Sequence, residues 1–170
     1  KLEPLKVGFY LPSKDLAEGK SDTRFLPIVH TIAEAAERMG RGNMKIRPMG
    51  RSKFHFLWTS GKTTTESYPM DVVMLDEVQE MLIADIEKVQ ERMSASKMKL
   101  TVMGSTANWP DADIDYFYKR GTQHRFHTRC PDCGRAEPLD SYFPHCIKFD
   151  PDFPDPMSGK LGDYRYVCRE

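Results

Sequence analysis

A chain of 170 residues, 39% hydrophobic and 29% charged, has the size and composition of a globular protein with one full core. Its 25 basic and 25 acidic residues cancel, which excludes a uniformly basic nucleic-acid coat but leaves room for a local patch. No apolar run approaches the roughly 20 residues that span a bilayer, and the first residues lack the apolar stretch of a secretory signal, so no membrane association is expected.

Residues 5–11 (LKVGFYL) predict a buried strand that Pro12 stops. A helix follows, capped by Ser21 or Asp22, with Phe25, Ile28, Val29, Ile32, Ala33 and Ala36 on one apolar face and Gly40 at its end. Residues 54–59 (FHFLWT) predict a second strand. Residues 71–75 (DVVML) predict a third, apolar enough to be covered on both faces. A helix over about 78–95, a strand over 100–103 (LTVM) and a short helix over about 111–119, ending at Gly121, complete the series. Strands alternating with helices predict an α/β fold with a parallel sheet. From His124 the chain turns to cysteines, prolines and short aromatic pieces, so residues 1–123 and 124–170 are expected to form two domains.

The most informative segment is Val72-Val-Met-Leu-Asp76-Glu77, an apolar strand running into two carboxylates. Ligands of open α/β sheets bind at that carboxyl edge. A nucleotide-hydrolysing site needs one carboxylate on the Mg²⁺ side and a second to orient and deprotonate the attacking water, the form of a Walker B motif with a catalytic glutamate. Successive strand side chains point opposite ways, so both can face one site only where the strand turns. The competing reading makes Asp76 a helix cap and Glu77 a first-turn acid. The next apolar strand ends in Gly104-Ser105-Thr106, where a hydroxyl pair can sense a γ-phosphate or simply leave the strand in a turn. Two such motifs on consecutive strands joined by one helix favour the nucleotide site.

Gly61-Lys62-Thr63 imitates a phosphate-binding loop. That motif requires a glycine where Phe56 stands, and a helix immediately after. Only 12 residues separate Thr63 from Asp76, so a surface turn between strands is expected here. Without such a loop, these residues alone are not expected to turn over ATP.

Cys130-Pro-Asp-Cys133-Gly134 places two thiolates on one metal, with the glycine permitting a tight backbone, and zinc suits thiolate ligands. Cys168 begins what reads as a second pair whose partner would be residue 171. Cys146, beside His145, is the alternative ligand, and His124 and His127 lie nearby in sequence. The site reads as structural, and four unligated thiols are the alternative. Between Arg38 and Thr65 there is no acid, while Arg41, Lys45, Arg47, Arg51 and Lys53 all occur; this is either a DNA-phosphate grip or a solvated loop face.

The combination resembles the large terminase subunit of lambda-type (GpA) phages. The resemblance is carried by Phe25-Leu-Pro27 after Thr23-Arg24, by Val73-Met-Leu-Asp76-Glu77-Val78, by Gly104-Ser-Thr106, and most specifically by the stretch from Trp109 to Gly134. It implies a P-loop ATPase core of the additional-strand (ASCE) class followed by a zinc-ribbon-like module. It implies an ATP- and Mg²⁺-dependent motor that translocates double-stranded DNA into a procapsid in the host cell cytoplasm. Its partners would be a small terminase subunit, a portal protein and further copies of itself. On this resemblance Asp76 is the magnesium-side acid, Glu77 the water activator, and Ser105-Thr106 the coupling motif. The phosphate-binding loop is expected before residue 1, on a strand beside residues 71–75, and a nuclease domain after residue 170. Gln79 and Glu80 depart from the acidic and the basic or aromatic residues common at those places. A helicase-like remodelling ATPase and a non-enzymatic zinc-ribbon nucleic-acid binder remain as alternatives.

Overall fold

The computed structural model describes residues 4–60, 68–138, 140–154 and 160–169. The chain divides into two compact units, Lys1–Gly121 and Thr122–Glu170.

The first unit is built on a five-stranded sheet. Its strands are β1 (Lys6–Leu11), β2 (Ile46–Met49), β3 (Ser52–Trp58), β4 (Val72–Asp76) and β5 (Leu100–Gly104), in the order β2-β3-β1-β4-β5. The four strands from β3 to β5 are mutually parallel, and β2 is an antiparallel edge. This is the mixed α/β fold expected, with one strand the sequence did not suggest. Pro48 has no ladder donor and lies on that edge, where strand prolines are tolerated. Gly50, at φ 58, makes the turn into β3.

Strand alternation divides the core. Tyr10, Leu57, Val73 and Leu75 join Ile86 and Val89 of helix α4 (Ile83–Glu91) on one side of the sheet. Leu11 and Phe56, flanked by Phe9, Phe25, Phe54 and Trp58, pack with Ala17 of helix α1 (Lys14–Lys20) in a second cluster.

The expected helix between β1 and the basic stretch begins earlier and breaks twice. Ser13, extended, caps α1 by accepting from the Leu16 N–H at 3.4 Å, so neither Ser21 nor Asp22 is the cap. A wide π turn spans Ser21–Phe25 and leads into α2 (Leu26–Thr31). Pro27 offers no N–H to the preceding turn, and the Leu26 N–H reaches back five residues to the Ser21 carbonyl. Ile32 then adopts an extended conformation (φ −107, ψ 102) before α3 (Ala33–Arg38). The single apolar face therefore does not form: Val29 is buried, whereas Ile28 and Ile32 are exposed.

The helix expected over 78–95 is likewise two pieces, a 3₁₀ turn at Val78–Glu80 and then α4, because Met81 and Leu82 between them are extended. Helix α5 (Asp113–Arg120) stops at Gly121. Strand β4 is paired on both sides, by β1 and β5, so no further strand lies beside it. Among the described residues the edge strand on that side of the sheet is β5, whose Leu100 and Val102 are exposed. Gly61-Lys62-Thr63 lies outside the described residues.

The second unit holds two antiparallel ribbons, β6 (His127–Arg129) with β7 (Ala136–Pro138), and β8 (Ile147–Pro154) with β9 (Leu161–Tyr166). Among the described residues no helix is long and apolar enough to cross a membrane.

Candidate active site

Asp76 is the last residue of β4, at the carboxyl edge of the parallel strands, opposite Gly104 of β5. A side chain at position 104 would begin 3.3 Å from Asp76 Oδ1, so glycine there keeps the carboxylate's place clear. Glu77 follows in the left-handed region (φ 60, ψ 46), its N–H donating to Asp76 Oδ1 at 3.1 Å. That conformation is uncommon for a side chain with a Cβ. It reverses the alternation of the strand and leaves both acids at the same edge.

A cation sits on this pair. The Lys20 ammonium, at the end of α1, donates to Asp76 Oδ2 and lies 3.5 Å from Glu77 Oε1. Strand β1 delivers α1 over the carboxyl edge, which places Lys20 there although 56 residues separate it from Asp76. Lys20, Arg24 and Asp76 line a cavity of about 260 Å³ whose wall is formed by Phe9, Phe25 and Phe56. The pair of carboxylates therefore accommodates a positive charge.

The hydroxyl motif reaches the same place. Ser105 Oγ accepts the Gln79 N–H at 3.0 Å, and Gln79 Nε2 donates to Glu77 Oε2 at 2.8 Å. Thr106 is exposed, and its carbonyl accepts from the Ser105 hydroxyl at 3.0 Å. The sequence motifs thus named Asp76, Glu77 and Ser105, which the fold brings together. They did not reveal Lys20, 56 residues away along the chain, or Gln79, whose only local signal was a polar side chain two residues after Glu77.

The basic residues do not act alike. Arg41, Lys45, Arg51 and Lys53 are exposed. Lys45 lies over the Trp58 ring, with 5.6 Å to its centroid, and 3.9 Å from Glu18. Arg47 is instead buried, donating through Nε to Ser21 Oγ at 3.1 Å and pairing with Asp22 at 3.1 Å. Its guanidinium ties β2 to the π turn and is not presented to a ligand, which corrects its inclusion in a solvent-facing patch.

In the second unit, the sulfurs of Cys130, Cys133 and Cys168 all lie within 4.8 Å of one another. The backbone N–H groups of Cys133 and Asp132 hold the Cys130 thiol below its ordinary value, the direction that favours a metal-binding thiolate. These donors fit a thiophilic ion such as zinc. Cys146 is buried and stands outside the trio, so the fourth ligand proposed for it is not supplied there among the described residues.

The fold is thus a mixed α/β one, with a mostly parallel sheet and two adjacent carboxylates at its carboxyl edge. Among solved structures, the HK97 bacteriophage large terminase has a similar fold, with a TM-score of 0.57 and 17% identity over 69% of this chain and 26% of that one. This chain therefore spans about a quarter of the length of that terminase. No curated protein sequence matches. The chain matches the family model of the phage terminase large subunit gpA, ATPase domain, over residues 1–170, and it belongs to that family.

Proposed function

We propose that this chain forms part of an ATP-driven motor that packages double-stranded DNA into a procapsid in the host cytoplasm. The observation that carries the reading is the cation held jointly by Asp76 and Glu77 beside Ser105. Asp76 holds Mg²⁺ directly or through water. Glu77 orients the attacking water and takes its proton. Ser105 and Thr106 respond to the γ-phosphate. Magnesium, when bound with ATP, neutralises charge on the phosphates. The phosphate-cradling amides and lysine come from a loop that no described residue provides. Cys130, Cys133 and Cys168 hold a structural zinc ion, and Arg41, Lys45, Arg51 and Lys53 contact DNA phosphates without reading bases. A small terminase subunit, a portal protein and further copies of the motor are the partners of such a machine. In the whole protein, Glu77→Gln should leave ATP binding intact and reduce hydrolysis by roughly 10²-fold, as loss of a general base does. Wild-type turnover in that variant refutes the assignment.

A further inference from the structure

Gln79 is the side chain that joins the two motifs. Its Nε2 donates to Glu77 Oε2 at 2.8 Å, its Oε1 accepts the Ser105 hydroxyl, and its backbone N–H donates to Ser105 Oγ at 3.0 Å. A carboxylate only accepts, so the amide must turn its NH₂ to Glu77, which leaves its carbonyl for Ser105. The other Glu77 oxygen, Oε1, faces Lys20 at 3.5 Å. Glu77 is thereby fixed at both oxygens, on a backbone in the left-handed region.

We propose that Gln79 is a positioning residue that ties the orientation of the Glu77 carboxylate to the state of Ser105; this rests on the roles proposed above for those two residues. A serine hydroxyl carries one proton. In this structure that proton is shared between Gln79 Oε1 and the Thr106 carbonyl, 3.0 Å away. When the hydroxyl donates to a phosphate oxygen, it cannot also donate to Gln79. The amide then loses one of its two anchors and is free to turn, which releases Glu77 Oε2 to accept from water. The motif that senses phosphate thus acts on the base through a single side chain, and no bond is made or broken.

The test uses the whole terminase subunit with Gln79→Leu, Gln79→Glu, Ser105→Ala and, as reference, Glu77→Gln. Gln79→Glu keeps the size of the side chain and its acceptor for Ser105, but it has no donor for Glu77. Both Gln79 variants should lower kcat about tenfold or more and leave KM for ATP within about twofold, because a misplaced base costs turnover rather than ground-state binding. Wild-type kcat in Gln79→Glu would mean that the residue only supports the turn, and would overturn the proposal. A second readout needs no turnover. In nucleotide-free thermal unfolding, Gln79→Leu and Ser105→Ala share one bond, so the double variant should lose less than the sum of the single losses. Additive losses overturn the proposal. Full activity in Glu77→Gln would remove the underlying assignment as well, whereas an inactive Glu77→Gln beside a fully active Gln79→Leu removes this inference alone.

Discussion

Arg47 separates a structural role from a DNA-binding one, because the acid-free run looks uniform in sequence and is not uniform in space. Consider Arg47→Met, which keeps the aliphatic stem and deletes the guanidinium. The hydrogen bond from Nε to Ser21 Oγ is lost, and Ser21 is fully buried, so its hydroxyl has no access to replacement water. A hydrogen bond to a charged group contributes about 1.5–3 kcal/mol. The ion pair to Asp22 adds little, about 0–1 kcal/mol, because the Asp22 side chain is 56% exposed. The expected loss is therefore about 1.5–4 kcal/mol, read as a lower urea midpoint at unchanged slope. Arg51→Met removes an exposed charge and should stay within about 0.5 kcal/mol of wild type. DNA binding should show the reverse pattern. Arg51→Met should reduce the slope of log K against log salt by about 0.9 for each phosphate that Arg51 neutralises, and Arg47→Met should leave that slope unchanged. A stable Arg47→Met protein with a reduced salt slope would refute the reasoning, since its guanidinium would then be on DNA rather than on Ser21.

Three further outcomes follow from the same geometry. Lys20 stands where a divalent ion would sit, so Lys20→Ala should tighten Mn²⁺ binding to the nucleotide-free protein about fivefold, the equivalent of ~1 kcal/mol of repulsion removed; electron paramagnetic resonance titration measures this, and weaker binding would show that Lys20 assists the ion instead. The whole protein should carry about one zinc per chain by elemental analysis, a stoichiometry taken from one structural site; Cys130→Ser or Cys168→Ser should release it and Cys146→Ser should retain it. His55 is held below its ordinary pKa by burial first, then by Lys53 and Lys6. Its neutral form is the one the fold favours, so its stability contribution is complete above the unfolded value of about 6.5 and is lost as pH falls from there through the folded value. Urea midpoints measured across that window should drop for wild type and flatten for His55→Phe; parallel profiles would refute the role.

What could be read from the sequence was what lies close along the chain. Val72 to Glu77, Gly104 to Thr106 and Cys130 to Cys133 carry their meaning within a few residues, and the fold places Asp76, Glu77 and Ser105 together. The remainder depends on distant pairings. Arg47 is 25 residues from Asp22, and nothing local marks it as buried. Lys20 reaches Asp76 only because β1 lies beside β4 in the sheet and sends its helix over the same edge. The helix expected from Phe25 to Ala36 satisfied a 3.6-residue period, yet Pro27 widens the turn before it and Ile32 leaves it. Strand β2 was hidden because a proline in a basic stretch reads as loop unless its edge position is known.

The conformation of Glu77 draws these features together. A strand that continued past Asp76 would send the next side chain to the opposite face, and two acids could not share one site. The left-handed residue at 77 resolves that conflict, at a cost of roughly 1–2 kcal/mol for a residue with a Cβ. Glycine would relieve that cost, yet a residue with a Cβ stands here, as it does at Lys99, Asp111, Asp113 and Gln123. Here the glycine stands instead at position 104, across the ladder, where a side chain would crowd Asp76. Glycine is thus placed where room is needed and withheld where a carboxylate is needed. Lys20 on one oxygen of Glu77 and Gln79 on the other then hold the strained residue in place. Specific polar partners on both sides of Glu77, at the edge of the sheet where ligands of such folds bind, support the chemical role proposed for the pair.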